Sequence, residues 1–156
     1  MGMKVTESSL DKTLRRFEKA PKAVENATVE VFGGVGADVV EKIRNGELSS
    51  WDDQSGSLRS SVGGGVCCKG RIVKTFGFDT VLNGSDGARK GKELLEKLAI
   101  EYARYDVVLI IVAGEEYAVY VEAIEGKVVL SSGLLHIEHT LMRLLKERIT
   151  QALRRL

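Results

Sequence analysis

The sequence predicts an α+β domain in which helices cover one face of a small, mainly antiparallel sheet. Apolar residues return at helical spacing near both ends of the chain, and the strand-like stretches between them are short and joined by turns. Strands and helices do not alternate at regular length, which disfavours a doubly wound parallel sheet. With 156 residues, the chain is expected to form a single domain over 1–156.

A helical arm is predicted over residues 6–45, as one long helix or two consecutive ones. Its apolar residues recur every three to four positions over most of this range: Leu10, Leu14, Phe17, Val24, Ala27, Val31, Val35, Val39 and Ile43. Pro21 is expected to divide or kink this region, because proline lacks an amide donor and its ring clashes with the preceding turn. The glycines between 33 and 36 weaken its middle, and Asn45-Gly46 provides a stop.

The sheet is predicted within 57–132, with an inserted helix near 88–105. LRSSVGGGVCCKGRIVKTFGFDTV indicates two strands around a turn near Lys69-Gly70. Alternating residues define one face of each strand: Leu58, Ser60 and Val62 on the first, and Ile72, Lys74, Phe76 and Phe78 on the second. The three consecutive glycines, Gly63 to Gly65, are typical of a bulge or of a close backbone approach.

The second half of the chain is predicted to add a strand and a long helix. DVVLIIVAG, from Asp106, is a short buried strand, and Glu115 to Glu122 fits a helical turn or an edge strand. KVVLSS, Lys127 to Ser132, is a further candidate strand. A strong amphipathic helix over 134–156 closes the chain and is expected to pack on the sheet.

The net charge, the apolar runs and the cysteines argue against several classes of protein, namely membrane, nucleic-acid-binding, disulfide-rich and zinc-binding proteins. There are 23 basic and 22 acidic residues, so net charge gives no argument for nucleic acid or an anionic membrane. The longest apolar run, VVLIIVA, is too short to span a bilayer, and MGMKVTESSLDK lacks the apolar core of a signal peptide. Cys67 and Cys68 are adjacent and supply neither a disulfide framework nor separated zinc ligands.

We therefore expect cytosolic folding, no membrane partner and no nucleic-acid partner. The basic residues of the last helix are interpreted as solvated surface: Arg143, Lys146, Arg148, Arg154 and Arg155.

Two sets of residues could support acid or metal chemistry. Asp52 and Asp53 are neighbours in a stretch rich in serine and glycine, where aspartate commonly bonds its own backbone. His136 and His139 are three apart on the last helix and so share a face, but no third ligand is specified by spacing. We predict no catalytic centre, no cofactor and no metal. A small metal-dependent hydrolase or nuclease using Asp52 and Asp53, with His136 or His139, is kept as an alternative.

Two motifs carry a resemblance to a known family. Asp53-Gln54-Ser55-Gly56-Ser57-Leu58-Arg59-Ser60-Ser61 follows the long helix and resembles the D-T/S-G-x-L-R-x-S signature of the small tail-component, or neck, proteins of tailed bacteriophages and prophages. Glu116-Tyr117-Ala118-Val119-Tyr120-Val121-Glu122 is similar to the Y-A-x-Y-V-E motif of that family. The order of elements matches from about Leu10 to Arg155.

The resemblance implies a structural protein that helps to assemble the tail or the head-to-tail junction, often as a homo-oligomeric ring, together with phage connector and tail proteins. It implies assembly in the bacterial cytoplasm and a place in the virion. The matching motif positions are candidates for interface contacts: Gly56, Leu58, Arg59, Ser61, Tyr117, Tyr120 and Glu122. Arg59, as a strand residue facing away from the core, is expected to pair with a neighbouring subunit.

The chain departs from the family pattern after the second motif. Many members continue with Gly-Thr and a proline-containing segment, whereas this chain has Ala123-Ile124-Glu125-Gly126 and then KVVLSSG. The helical insertion near 88–105 is also longer than in the simplest members. These differences leave the position within the virion open, and a host-encoded protein-interaction domain unrelated to phage remains a further alternative.

Overall fold

The computed structural model describes residues 7–49, 53–115 and 130–156, with the backbone alone at positions 7, 8, 131, 132, 134–136, 138 and 139. The described elements follow the chain as four helices and three strands: α1 (Glu7–Arg44), α2 (Ser57–Ser61), β1 (Val62–Cys68), β2 (Arg71–Gly77), α3 (Ser85–Glu101), β3 (Val108–Ala113) and α4 (Ser131–Arg154). The α+β prediction is confirmed.

The first helix is not divided at Pro21. α1 runs through 38 residues with Pro21 inside it, which gives a length of about 57 Å at 1.5 Å per residue. Proline removes the hydrogen bond to the carbonyl four residues earlier. Pro21 and Phe17 are both exposed, so that carbonyl can bond to water instead.

The sheet has the order β2-β1-β3, and both pairs are antiparallel. The predicted turn at Lys69-Gly70 joins β1 to β2, with positive φ at both residues. The pairing of β1 with β2 shifts between Val66 and Cys67, so that Val73 has no partner of its own. Because such an irregularity breaks the alternation of side chains, Ile72 and Phe76 contact different core clusters. The prediction that they share a face was therefore wrong.

Helices cover both faces of the sheet rather than one. One cluster joins α1 to Val62 of β1, with Phe76, Leu109 and Ile111 packed against it. The other cluster joins α3 to the opposite face: Cys67, Phe78, Ala88, Leu95, Ala99, Ile110 and Val112. Alternating residues of β3 therefore contribute to different cores, as expected for a strand buried on both sides.

The glycines of β1 make room for two aromatic rings on opposite faces. A Cβ at Gly63 would lie 2.7 Å from the ring of Phe78, and one at Gly64 would lie 2.8 Å from the ring of Phe76. The close approach predicted for this stretch is thereby confirmed, and it explains why a central strand carries residues that normally weaken strands.

The C-terminal helix makes its most extensive contacts with α1, to which it runs antiparallel. Near its start Gly133 lies against Ile43, and further along Arg148 forms an ion pair with Glu30. Ile137 joins the cluster that contains Val62 of the sheet. Ser131 and Ser132 begin α4 rather than ending the candidate strand KVVLSS, whose residues 127–129 lie outside the described chain.

Candidate functional site: the joint between the long helix and the sheet

The stretch from Asp53 to Ser61 ends in a short helix rather than in the start of a strand. Leu58, Arg59 and Ser61 lie on α2, and β1 begins only at Val62. Gly56 precedes α2 with φ of 78°, and a Cβ there would lie 2.0 Å from the carbonyl oxygen of Val81. Only glycine fits this left-handed turn, which redirects the chain into the helix.

Asp53 stabilises the beginning of α2. Its Oδ2 accepts a hydrogen bond of 2.7 Å from the backbone N–H of Arg59. The first N–H groups of a helix have no partner within it, so a carboxylate in this position acts as an N-terminal cap. Asp53 thus bonds the nearby backbone, as the turn interpretation predicted.

Two serines on α2 are fully buried because their hydroxyl groups are bonded to the backbone. Ser61 Oγ donates to the carbonyl of Leu58 at 2.8 Å, and Ser60 Oγ accepts from the N–H of Val81 at 2.8 Å. Buried polar groups are tolerated when they are paired in this way. Leu58 is buried beside them and packs in the cluster on the α1 side.

Arg44, in the last turn of α1, binds the C-terminal end of α2. Its Nη1 donates to the carbonyls of Arg59 at 3.0 Å and Val62 at 3.1 Å, and its Nη2 donates to the carbonyl of Asp79 at 2.7 Å. Burial lowers the pKa of Arg44, and the Asp79 carboxylate at 3.9 Å opposes that shift. An arginine near the end of a helix usually indicates a solvated charge, so this role could not be predicted from sequence.

A buried carboxylate connects α2 to α3 and to the end of β3. Glu115 Oε1 accepts from Ser57 Oγ at 2.8 Å, and its Oε2 accepts from Lys90 Nζ at 3.1 Å. The Glu115 side chain is only 5% exposed. Its own N–H donates to Ser61 Oγ at 3.4 Å. Ser57, Lys90 and Glu115 form a cluster that periodicity could not reveal, because its members are far apart in sequence.

In the cluster around Glu115, Lys90 is positively charged and bonded to the carboxylate. Hydrogen bonds to Glu115 and then to Asp86 raise the pKa of Lys90, so the ammonium group stays protonated. A protonated lysine cannot accept a proton from Ser57, as a serine nucleophile would require. Both carboxylate oxygens of Glu115 are already occupied, one by Ser57 Oγ and the other by Lys90 Nζ. These contacts are better explained as structural links between α2, α3 and the end of β3 than as the machinery of acyl transfer.

The two cysteines of β1 differ in burial. Cys67 is buried in the cluster on the α3 side, as predicted for one of the pair, and Cys68 is half-buried. Burial raises the pKa of both thiols, which favours the protonated, unreactive form.

The remaining candidate residues are located only in part. Asp52, Trp51, Tyr117, Tyr120 and Glu122 lie outside the described residues. His136 and His139 are on α4, where their backbone alone is described. Among the side chains that the structure describes, no three histidine, cysteine or acidic groups are placed together so as to hold a metal ion. Nor does any helix in 7–49, 53–115 or 130–156 combine the length and apolar character needed to cross a bilayer.

No protein-family model matches the chain. Curated proteins and solved structures gave no significant match either.

Proposed function

We propose that this chain is a non-enzymatic assembly protein of a tailed bacteriophage or prophage, placed at the tail or the head-to-tail junction. It acts by binding copies of itself, as a ring, and by binding connector and tail proteins. The sequence support is the pair of motifs in their order between two long helices. The proposed site of assembly is the bacterial cytoplasm, and the final location is the virion.

The observation that carries this proposal is the exposed apolar face on the first turns of α1. Leu10 and Leu14 are each 50% exposed and Phe17 is 71% exposed, although all three lie on a regular helix. Large apolar side chains grouped on one exposed face are typical of protein interaction surfaces. A long helix that presents such a face suits a protein whose task is to contact others.

The joint around α2 supports the same proposal in a different way. Arg44, Asp53, Ser60 and Glu115 direct their hydrogen bonds at the protein's own backbone and side chains. Arg44 ties the end of α1 to this region, and the other three residues hold α2 against the chain around it. A rigid joint is useful for an assembly protein, because neighbouring copies must meet at a constant angle.

Deletion of the gene in the bacterium that carries the phage or prophage tests this function. After induction, electron microscopy is expected to show heads and tails that remain separate or tails of abnormal form, with normal particles restored by the wild-type gene. The chain should also be detected in purified wild-type particles. Infectious, normally joined particles from the deletion strain, together with absence of the chain from purified virions, would overturn the proposal.

A further inference from the structure

The side chains of α1 differ in burial on the two sides of Pro21. Every side chain described between positions 9 and 19 is exposed, including that of Phe17 at 71%. Burial begins beyond the proline, where Ala27 is 5% exposed and Ile43 is completely buried. Most helical stability in proteins comes from packing of an apolar face. The part of α1 after the proline receives that packing, and the part before it does not.

The part before the proline, residues 7–20, is called the first segment. It borders the end of α4 at an apolar groove of about 270 Å³. Side chains of both helices line this groove, but Phe17 and Leu153 remain 71% and 37% exposed. An ion pair that links α1 to α4 lies beyond the proline, at Glu30 and Arg148. Contacts with α4 therefore support the first segment weakly.

Pro21 interrupts the backbone hydrogen bonds that would connect the two parts of α1. It has no N–H to donate to the carbonyl of Phe17, and its ring crowds that carbonyl. In a helix interior, proline is the most unfavourable residue. At the first position of a helix it is favoured, because its missing N–H would have no partner there and its φ is already helical. A helix that begins at Pro21 therefore has an ordinary start.

The first segment is a weak helix by itself. It has 14 residues, and isolated helices shorter than about 12–15 residues are marginal in water. Three of its four charged pairs at i, i+4 spacing carry like charges, which destabilises a helix. The like-charged pairs are Glu7–Asp11, Lys12–Arg16 and Arg15–Lys19, and the fourth pair is Asp11–Arg15. Loss of this helix would therefore cost little while the rest of the domain stays folded.

We propose that residues 7–20 fold and unfold separately, while the domain from Pro21 onward stays intact. Leu10, Leu14 and Phe17 lie on one face only when the first segment is helical. Their exposed apolar stripe is therefore a conditional surface, which forms when the segment folds and is lost when it unfolds. The affinity of a partner that binds the stripe equals the intrinsic affinity multiplied by the fraction of chains in which the segment is helical. This inference goes beyond the proposed function and does not depend on a phage role.

Hydrogen exchange of the full chain measures the two parts of α1 separately. Amides of residues 11–20 are expected to exchange within about tenfold of the rate of an unfolded chain. Amides of residues 31–43 are expected to be protected at least about a thousandfold, because they open with the domain. Protection should rise in a step near residue 24, where the helix that begins at Pro21 makes its first hydrogen bonds. Equal protection of the two ranges would overturn the proposal.

Pro21→Ala tests whether the proline sets the boundary. The substitution restores the missing N–H, so protection of residues 11–20 is expected to rise about tenfold or more and to change gradually along α1. Asn26→Ala introduces the same residue at an exposed position of α1 without restoring a hydrogen bond, and it is the matched control. Protection of residues 11–20 in this control should stay near that of wild type. Unchanged protection in Pro21→Ala would refute the proposal.

Two further substitutions place a proline at exposed positions on either side of Pro21. Arg15→Pro breaks the helix of the first segment, and the midpoint of urea unfolding is expected to stay unchanged, because that segment contributes little to the domain. Glu41→Pro makes the same change in the packed part of α1 and is expected to lower the midpoint strongly or to prevent folding. Circular dichroism follows both transitions. A comparable loss in the two variants would show that residues 7–20 fold together with the domain, contrary to the proposal.

Discussion

Arg44 and Val62 are joined by a buried hydrogen bond of 3.1 Å, from Nη1 of the arginine to the carbonyl oxygen that ends α2 and opens β1. The same guanidinium bonds the carbonyls of Arg59 and Asp79. One side chain at the end of α1 therefore binds three backbone positions: Arg59 on α2, Val62 at the start of β1 and Asp79 just after β2.

Replacing Arg44 with methionine is expected to destabilise the protein by about 2–4 kcal/mol, since the carbonyls of Arg59, Val62 and Asp79 would each lose a hydrogen bond from a charged donor. Lys42→Met, two residues earlier, removes an exposed partner of Asp38 and is the matched control, with an expected change below about 0.5 kcal/mol. Urea unfolding followed by circular dichroism measures both. Equal stability of the two variants would contradict the role assigned to Arg44.

Asp53→Ala is expected to lower the free energy of unfolding by about 1 kcal/mol, because the backbone N–H of Arg59 loses its acceptor. Asp53→Asn should retain most of that stability, since the side-chain carbonyl of asparagine can accept the same hydrogen bond from the backbone N–H of Arg59. The same proteins test the hydrolase alternative when they are incubated with labelled DNA or RNA and Mg²⁺ or Mn²⁺. A wild-type cleavage activity that Asp53→Ala abolishes, without loss of folding, would favour an enzyme.

Gly34→Ala and Gly36→Ala should shift stability in opposite directions. In dilute, monomeric protein the first is expected to raise the free energy of unfolding by about 0.5–1 kcal/mol, because alanine favours the helix and meets open space. The second is expected to destabilise, because its Cβ would lie 2.5 Å from the Phe76 ring and 2.7 Å from Leu109. Chemical denaturation distinguishes them, and destabilisation by Gly34→Ala would mean that the position already has a packing role.

The ion pair between Lys90 and Glu115 should make stability sensitive to alkaline pH. The folded pKa of Lys90 is raised above its ordinary value of 10.5, so the protonated lysine binds its carboxylates more tightly in the folded state. That contribution is complete below the unfolded pKa and is lost as pH rises through the folded pKa. The stability difference between wild type and Lys90→Met should therefore be constant from pH 7 to 9 and shrink above about pH 10.5. A difference that grows with pH would contradict the assignment.

The larger elements could be predicted because their patterns are local. The spacing of Val31, Val35 and Val39 belongs to one face of a helix, and Lys69-Gly70 is a turn on its own chemistry. These features depend on neighbours in sequence. They are confirmed in α1 and in the β1–β2 connection.

The joint could not be predicted, because long-range partners determine it. The alternation of Leu58, Ser60 and Val62 favours a strand, but the capping carboxylate of Asp53 and the carbonyl contacts of Arg44 stabilise a helical turn there. Burial of the two serines could not be predicted either, because periodicity assigns polar residues to the solvent-facing side. Ser60 and Ser61 are hidden since their hydroxyl groups meet backbone partners that periodicity does not reveal.

The glycines that admit Phe76 and Phe78 have a consequence for how the protein opens. Both core clusters include residues of β1, Val62 in one and Cys67 in the other, so neither cluster can separate from the sheet without disturbing the same strand. Amide hydrogens of β1 should therefore exchange with solvent only when the whole domain unfolds. The segment with the weakest intrinsic preference for a strand thus becomes the part of the backbone that opens last.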